Sequence, residues 1–187
     1  MTEHPPPRPD DQSLARRAAL GDRGAFADIV RRHGPGMFRY ATTMLGGNTH
    51  DAEDAVQDAL TKAWQHLPRF RAEASLQTWM YRITANEVRA ARRRRRPVPV
   101  DDQLLAPLPA PAQDQPEQRL NQEQLRRALS AALAELPWRQ RAAWILAEEE
   151  EMTYQQIADA LETNVTVVRG QLHRARRTLG IRMVQWK

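Results

Sequence analysis

The chain has 187 residues, room for two small domains or one of medium size, and 41 % of its side chains are hydrophobic. Lys and Arg number 28 against 23 Asp and Glu, a net charge of +5 carried almost wholly by arginine, the side chain suited to bidentate contact with phosphate or guanine. Cysteine is absent, which excludes disulfides and thiolate metal sites and fits a reducing compartment.

Residues 1–10 are polar and rich in proline, and read as a disordered tail without a secretory apolar run. No stretch approaches the ~18 uninterrupted apolar residues that a membrane span requires. A soluble, cytoplasmic protein without membrane insertion is therefore expected. Glycine is scarce, at 8 residues, and apolar side chains recur at three- and four-residue spacing. Both features predict an all-α chain of two small helical domains.

The first domain is expected over residues 11–96. Gly34-Pro35-Gly36 predicts a helix interruption and Gly46-Gly47-Asn48 a turn. A helix is expected from near Asp51, with Val56, Leu60, Ala63/Trp64 and Leu67 on one buried stripe and Pro68 at its end. Asp51 and Glu53 suit a helix N-terminus. Asp54 and Asp58 lie i, i+4 on one face beside Gln57, a face able to dock a basic protein surface or, less readily, to hold a divalent metal.

After a loop from Arg69 to Ser75, a second long helix is expected from Leu76 to Arg96, with Leu76, Trp79/Met80 and Ile83 facing inward. Asn86 falls where an apolar residue belongs, Trp79 stands one turn before Ile83, and an arginine run fills 92–96. An aromatic, an amide and a basic tail on one helix suit an opened single strand, whose bases stack and whose backbone needs neutralising. The plainer readings are core packing for Trp79, local satisfaction for Asn86 and a solvated helix end for the arginines.

Six prolines crowd residues 97–116, which cannot continue a helix and read as a semi-extended linker between domains. Beyond it, in the domain expected over 117–187, Leu125, Leu129, Leu133 and Leu136 mark a helix that Pro137 stops. A second runs from Trp138 to about Glu149. The acidic run Glu148 to Glu151 reads as a solvated face. Thr153 and Gln156 form a capping box for a short helix ending at Leu161, and Asn164 is an N-cap for the last helix.

These last two helices fit a helix-turn-helix. Ile157, Ala158 and Leu161 face inward from the first, Glu162-Thr163-Asn164 makes the turn, and Val168, Leu172 and Ala175 are buried by the second. Arg169 and Gln171 are then expected to reach base edges, and Arg174, Arg176 and Arg177 to hold phosphates.

At these residues the chain resembles the extracytoplasmic-function (ECF, group IV) sigma factors of the sigma-70 family, which keep only promoter-reading regions 2 and 4. Asp51-Ala-Glu-Asp-Ala-Val-Gln-Asp58 resembles region 2.2. Ser75-Leu-Gln-Thr-Trp-Met-Tyr-Arg-Ile83, followed by Asn86, resembles regions 2.3 and 2.4. Leu136-Pro-Trp-Arg-Gln-Arg141, Thr153-Tyr-Gln-Gln-Ile-Ala158 and the stretch from Val168 to Arg176 resemble region 4. The resemblance implies no enzyme activity, no cofactor and no metal. It implies that Asp54, Gln57 and Asp58 bind the coiled coil of the polymerase β′ clamp and that region 4 meets the β flap. Phe70, Arg71, Ser75, Trp79, Arg82 and Asn86 would capture and open the −10 element. Thr166, Arg169, Gly170, His173, Arg174 and Arg177 would read the −35 element, and an anti-sigma factor would control the whole. The chain departs from the pattern at Ala72, where Gly is common, at Ala74, where Ser is, and at Glu162-Thr163, which predict a looser turn. Gly170 and Gln171 stand where Ser and Arg are usual.

Two rival readings are weaker. A dimeric helix-turn-helix repressor leaves Trp79, Asn86 and the acidic block without a role. A metal-dependent nuclease using Asp51, Asp54 and Asp58 lacks ligand spacing among His4, His33, His50, His66 and His173 and lacks a phosphate-cradling Gly loop.

Overall fold

The computed structural model describes residues 10–95 and 117–184, which hold eight α-helices, one 3-10 turn and no strand. The proline-rich linker and residues 1–9 of the expected tail lie outside the described residues. Asp10 belongs to the fold instead: its carboxylate accepts from Ser13 N at 2.6 Å and caps α1 (Asp11–Ala19).

Helix α2 (Arg23–Met44) corrects the expected interruption at Gly34-Pro35-Gly36, because it runs straight through Pro35. An interior proline costs a helix ~3 kcal/mol. Here Ile29, Met37 and Tyr40 are fully buried at helical spacing on both sides of it, each contributing roughly 1.5–3 kcal/mol. Pro35 is exposed, and the carbonyl it leaves without a donor belongs to the exposed Arg31, where water can serve. Tertiary burial outweighs the local rule.

Gly46 and Gly47, both left-handed at φ 70° and 84°, make the turn into α3 (Thr49–His66). That helix starts two residues before Asp51, where the Asn48 side chain accepts from Asp51 N. Its inner face is nearly all alanine: Ala52, Ala55, Ala59 and Ala63 are completely buried. Small side chains let it lie close against α4 (Leu76–Arg95), which follows a 3-10 turn at Leu67–Arg69. Met80, Thr84, Ala85 and Val88 of α4 are buried, whereas Ile83 is only half-buried. Glu87, 6 % exposed, is neutralised by Lys62 Nζ at 2.6 Å.

The second set comprises α5 (Glu117–Glu135), α6 (Trp138–Glu148), α7 (Tyr154–Ala160) and α8 (Val165–Arg182). Of the four leucines expected to mark α5, Leu129, Leu133 and Leu136 pack against α8, whereas Leu125 is 39 % exposed one turn short of that contact. Both halves of the Thr153–Gln156 capping box form. The turn between α7 and α8 is not loosened: Glu162 takes a left-handed φ of 53°, and Thr163 N donates to Ala158 O at 2.9 Å. Asn164 caps α8 through Val167 N.

The two sets share one continuous apolar core in which Leu76, Met80, Ile145, Leu146, Ile157 and Ala158 take part together. Helix α7 lies on α4, and α6 reaches α2. Among the described residues no helix is long and apolar enough to cross a membrane.

Two predictions follow from local strain and burial. His33, whose side chain is 9 % exposed beside Asp11, is held below its ordinary pKa because burial outweighs the attraction of Asp11. The unfolded chain therefore takes up this proton first, and stability should fall as pH drops below about 6.5. Thermal unfolding across that range should show a flatter profile for His33→Gln. Glu162→Gly should raise stability by roughly 0.5–1 kcal/mol in denaturant titration, because glycine removes the left-handed penalty.

Candidate nucleic-acid interface

Three exposed surfaces carry the residues singled out by the sequence. The first is the outer face of α3. Because the alanine stripe turns inward, Asp54, Gln57 and Asp58 turn outward and all are exposed. Asp54 lies 3.8 Å from His50 and Asp58 3.8 Å from Arg94, loose pairs between well-exposed groups that leave the carboxylates free to re-pair.

The second surface is the loop before α4 with the exposed side of that helix. Ser75 is the cap: its hydroxyl accepts from Thr78 N at 3.1 Å and exchanges a hydrogen bond with the Thr78 hydroxyl at 2.8 Å. Ala72 adopts φ 55°, which gives the glycine common at this position a physical meaning. Phe70 is half-buried with its ring centroid 5.1 Å from that of Trp79. Trp79 is only 9 % exposed, so its ring supports Phe70 from beneath instead of projecting into solvent. Arg71 and Arg82 are exposed. Asn86 is half-buried and accepts a 2.8 Å bond from Arg89 one turn on.

The third surface is the outer face of α8. With Val168, Leu172, Ala175 and Leu179 buried, Thr166, Arg169, His173, Arg174 and Arg177 form an exposed stripe. Gly170, half-buried, lies among them; a Cβ there would meet only the Arg174 guanidinium, at an ordinary 3.6 Å. Two further residues of the expected contact set have partners within the protein. Gln171 is half-buried and lines a cavity of about 320 Å³ with Arg89 of the first helical set and Trp138 and Arg139 of the second. Arg176 is held by Glu148 at 2.7 Å, with Tyr154 nearby, and that carboxylate raises its pKa. The pair ties α8 to α6, and Arg176 remains exposed.

The acidic run is the largest correction. Glu148, Glu149 and Glu151 are exposed, but the Glu150 side chain is only 9 % exposed and pairs with Arg39 NH2 at 2.8 Å. Gln77 donates to the Glu150 carbonyl at 3.1 Å. Periodicity gives no warning of this, because the residue sits past the end of α6 and its partners lie over 70 positions away.

Arg141 also lacked an assigned role. It is 5 % exposed and donates to the carbonyls of Thr43, Ala134 and Leu136. Burial, with Arg92 nearby, lowers its pKa to about 10. One signal was present: Arg141 falls on the apolar stripe of α6 between Trp138 and Ile145. Arg92, in turn, lies 4.8 Å over the Trp138 ring, a cation–π contact between the two helical sets.

Known families match both helical sets. The family "Sigma-70 region 2" matches residues 29–98 and "Sigma-70, region 4" matches residues 126–179. The ECF RNA polymerase sigma factor SigG of Mycobacterium tuberculosis is 35 % identical over 181 residues, covering 85 % of this chain and 48 % of SigG. The chain thus spans about half the length of that relative. The ECF RNA polymerase sigma-E factor of Haemophilus influenzae is 30 % identical over 177 residues, covering 89 % of this chain and 91 % of that protein. Among solved structures, CnrH in complex with the cytosolic domain of CnrY superposes with a TM-score of 0.69 at 28 % identity, covering 91 % of this chain and 95 % of CnrH. With regions 2 and 4 both matched in order and a full-length relative at this identity, the chain belongs to the ECF sigma factors of the sigma-70 family.

Proposed function

We propose that this chain binds core RNA polymerase and directs it to promoters, as a group IV factor working in the cytoplasm and without covalent chemistry. Residues 11–96 serve as region 2, 97–116 as the connection and 117–187 as region 4. The observation that carries the reading is the separation of three chemistries on one framework: an exposed carboxylate face on α3, a half-buried aromatic and amide cluster at the start and side of α4, and an exposed arginine stripe on α8.

Asp54, Gln57 and Asp58 dock on the β′ clamp coiled coil, where their loose intramolecular pairs are exchanged for basic partner side chains. Region 4 meets the β flap and places α8 in the major groove of the −35 element. Arg169 and Arg174 approach base edges, Gly170 leaves room for that approach, and Thr166, His173 and Arg177 hold the backbone. Counterion release makes this step depend strongly on salt.

At the −10 element, a base leaves the stack and enters the loop between Phe70 and Ser75, with Asn86 offering an amide to its edge. Unstacking costs a few kcal/mol. Arg71 and Arg82 neutralise the strand beside the pocket. Trp79 acts by holding Phe70 at the bubble edge, which suits its burial better than insertion between bases. Each domain alone binds DNA weakly, and tethering both to polymerase supplies the effective concentration. A protein partner of the anti-sigma class holds the factor in reserve; CnrH, the structural relative above, is itself seen bound to another protein's cytosolic domain.

Run-off transcription with core polymerase over a promoter library tests the reading: defined start sites should appear only when the chain is added. Arg174→Ala should weaken binding to −35 duplex by roughly 1–3 kcal/mol in a titration at fixed salt. Asp58→Ala should leave that binding unchanged and reduce association with core polymerase. An Asp58 variant that retains full polymerase binding removes the clamp assignment.

A further inference from the structure

We infer that the cavity between α4, α6 and the α7–α8 turn is a binding site for a small aromatic carboxylate, with the ring inside and the charge held at the rim by Arg89 and Arg139. The site lies apart from the three surfaces assigned above and does not depend on their roles.

The cavity holds about 320 Å³, within the range of small-molecule sites and far above the voids left inside a well-packed core. Its origin lies in short side chains. Ala142 and Ala143 stand side by side on α6, and α8 offers Val167 and Val168 to the same space, where longer residues would fill it. Ala142, Ala143 and Val168 are buried and give the cavity an apolar floor. Trp138, half-buried at the start of α6, adds an aromatic wall. The Arg92 guanidinium lies 4.8 Å from the centroid of that ring and brings a further positive charge close by. A flat apolar body gains most from such a lining, because it can be desolvated against the alanines and meet the indole.

The charged residues of the lining sit nearer to solvent. Arg139 is exposed, and Arg89 is half-buried with one nitrogen donating to Asn86 at 2.8 Å. A guanidinium has five N–H donors, so that bond leaves Arg89 ready for a second acceptor. Glu162, exposed on the turn, is the one acidic residue of the lining, and among the described residues it is ion-paired with neither arginine. Two arginines against one glutamate leave the rim net positive. Gln171, half-buried on α8, adds an uncharged amide donor. An anionic group at the mouth keeps part of its hydration while gaining charge-assisted hydrogen bonds, and a planar carboxylate matches the guanidinium fork. Arg89 belongs to the first helical set and Arg139 to the second, so one carboxylate is addressed from both.

Titration calorimetry of the full chain with 1-naphthoate and its uncharged analogue 1-naphthalenemethanol tests the site. The acid should bind with single-site stoichiometry, about tenfold tighter than the alcohol. Arg139→Gln should weaken the acid by roughly three- to fivefold, and Glu162→Gln should tighten it by a similar factor, with the alcohol unmoved by either. The gain in Glu162→Gln cannot come from misfolding. Val167→Phe, which fills the space from α8, should abolish binding of both compounds, with circular dichroism as the check on its fold. The two charge variants decide the matter without it. No saturable binding, equal binding of acid and alcohol, or an acid affinity that neither charge variant moves overturns the site. Displacement of the acid by an equal concentration of inorganic phosphate marks a plain anion site at the rim and overturns the part given to the cavity.

Discussion

The rest of the structure depends on the burial of α4 from two directions. On one side it meets the alanine face of α3, whose small side chains allow close approach. On the other it meets α7, so that Leu76 and Met80 share a core with Ile157 and Ala158. A helix proposed to face nucleic acid would ordinarily leave that side to solvent. Here a second domain has been brought onto it, and most of what is unusual in the molecule follows from that choice: the inward glutamate, the stacked arginine and the half-buried Gln171.

The electrostatics divide along the same line. Asp54 and Asp58 on α3 are only loosely paired, at 3.8 Å to well-exposed partners, and can re-pair readily. At the domain contact the buried Glu150 side chain pairs with the more exposed Arg39, and the buried Arg141 donates to three carbonyls. Burial also pushes the Tyr40 and Tyr81 hydroxyls far above the usual phenol range, so both stay neutral at any physiological pH. The contact between domains is therefore a polar one set into an apolar core, which favours one defined geometry over many sliding ones.

How far the sequence was legible depended on how local each signal was. The capping box at Thr153, the cap at Asn164, the Gly46-Gly47 turn and the stripe of α8 were readable because each is decided within a few residues. The exposure of Asp54, Gln57 and Asp58 followed from periodicity alone. Pro35 was misread because local propensity lost to packing on both sides of it. The surroundings of Arg176, Gln171 and Glu150 were not legible for a related reason: they come from other helices, and no window of sequence contains both ends of such a contact. The role of Trp79 was half legible, since an aromatic on an apolar stripe announces burial but not which ring it will support.

The Lys62–Glu87 bridge carries a consequence of its own. It ties α3 to α4 at 2.6 Å, one turn beyond Asp58 on the first helix and one residue past Asn86 on the second. With the alanine seam beneath it, the bridge turns the two helices into a single stiff ruler. The spacing between the carboxylate face and the amide is then set when the protein folds, not when it meets its partner. Anything that grips one end of the ruler has already decided where the other end points.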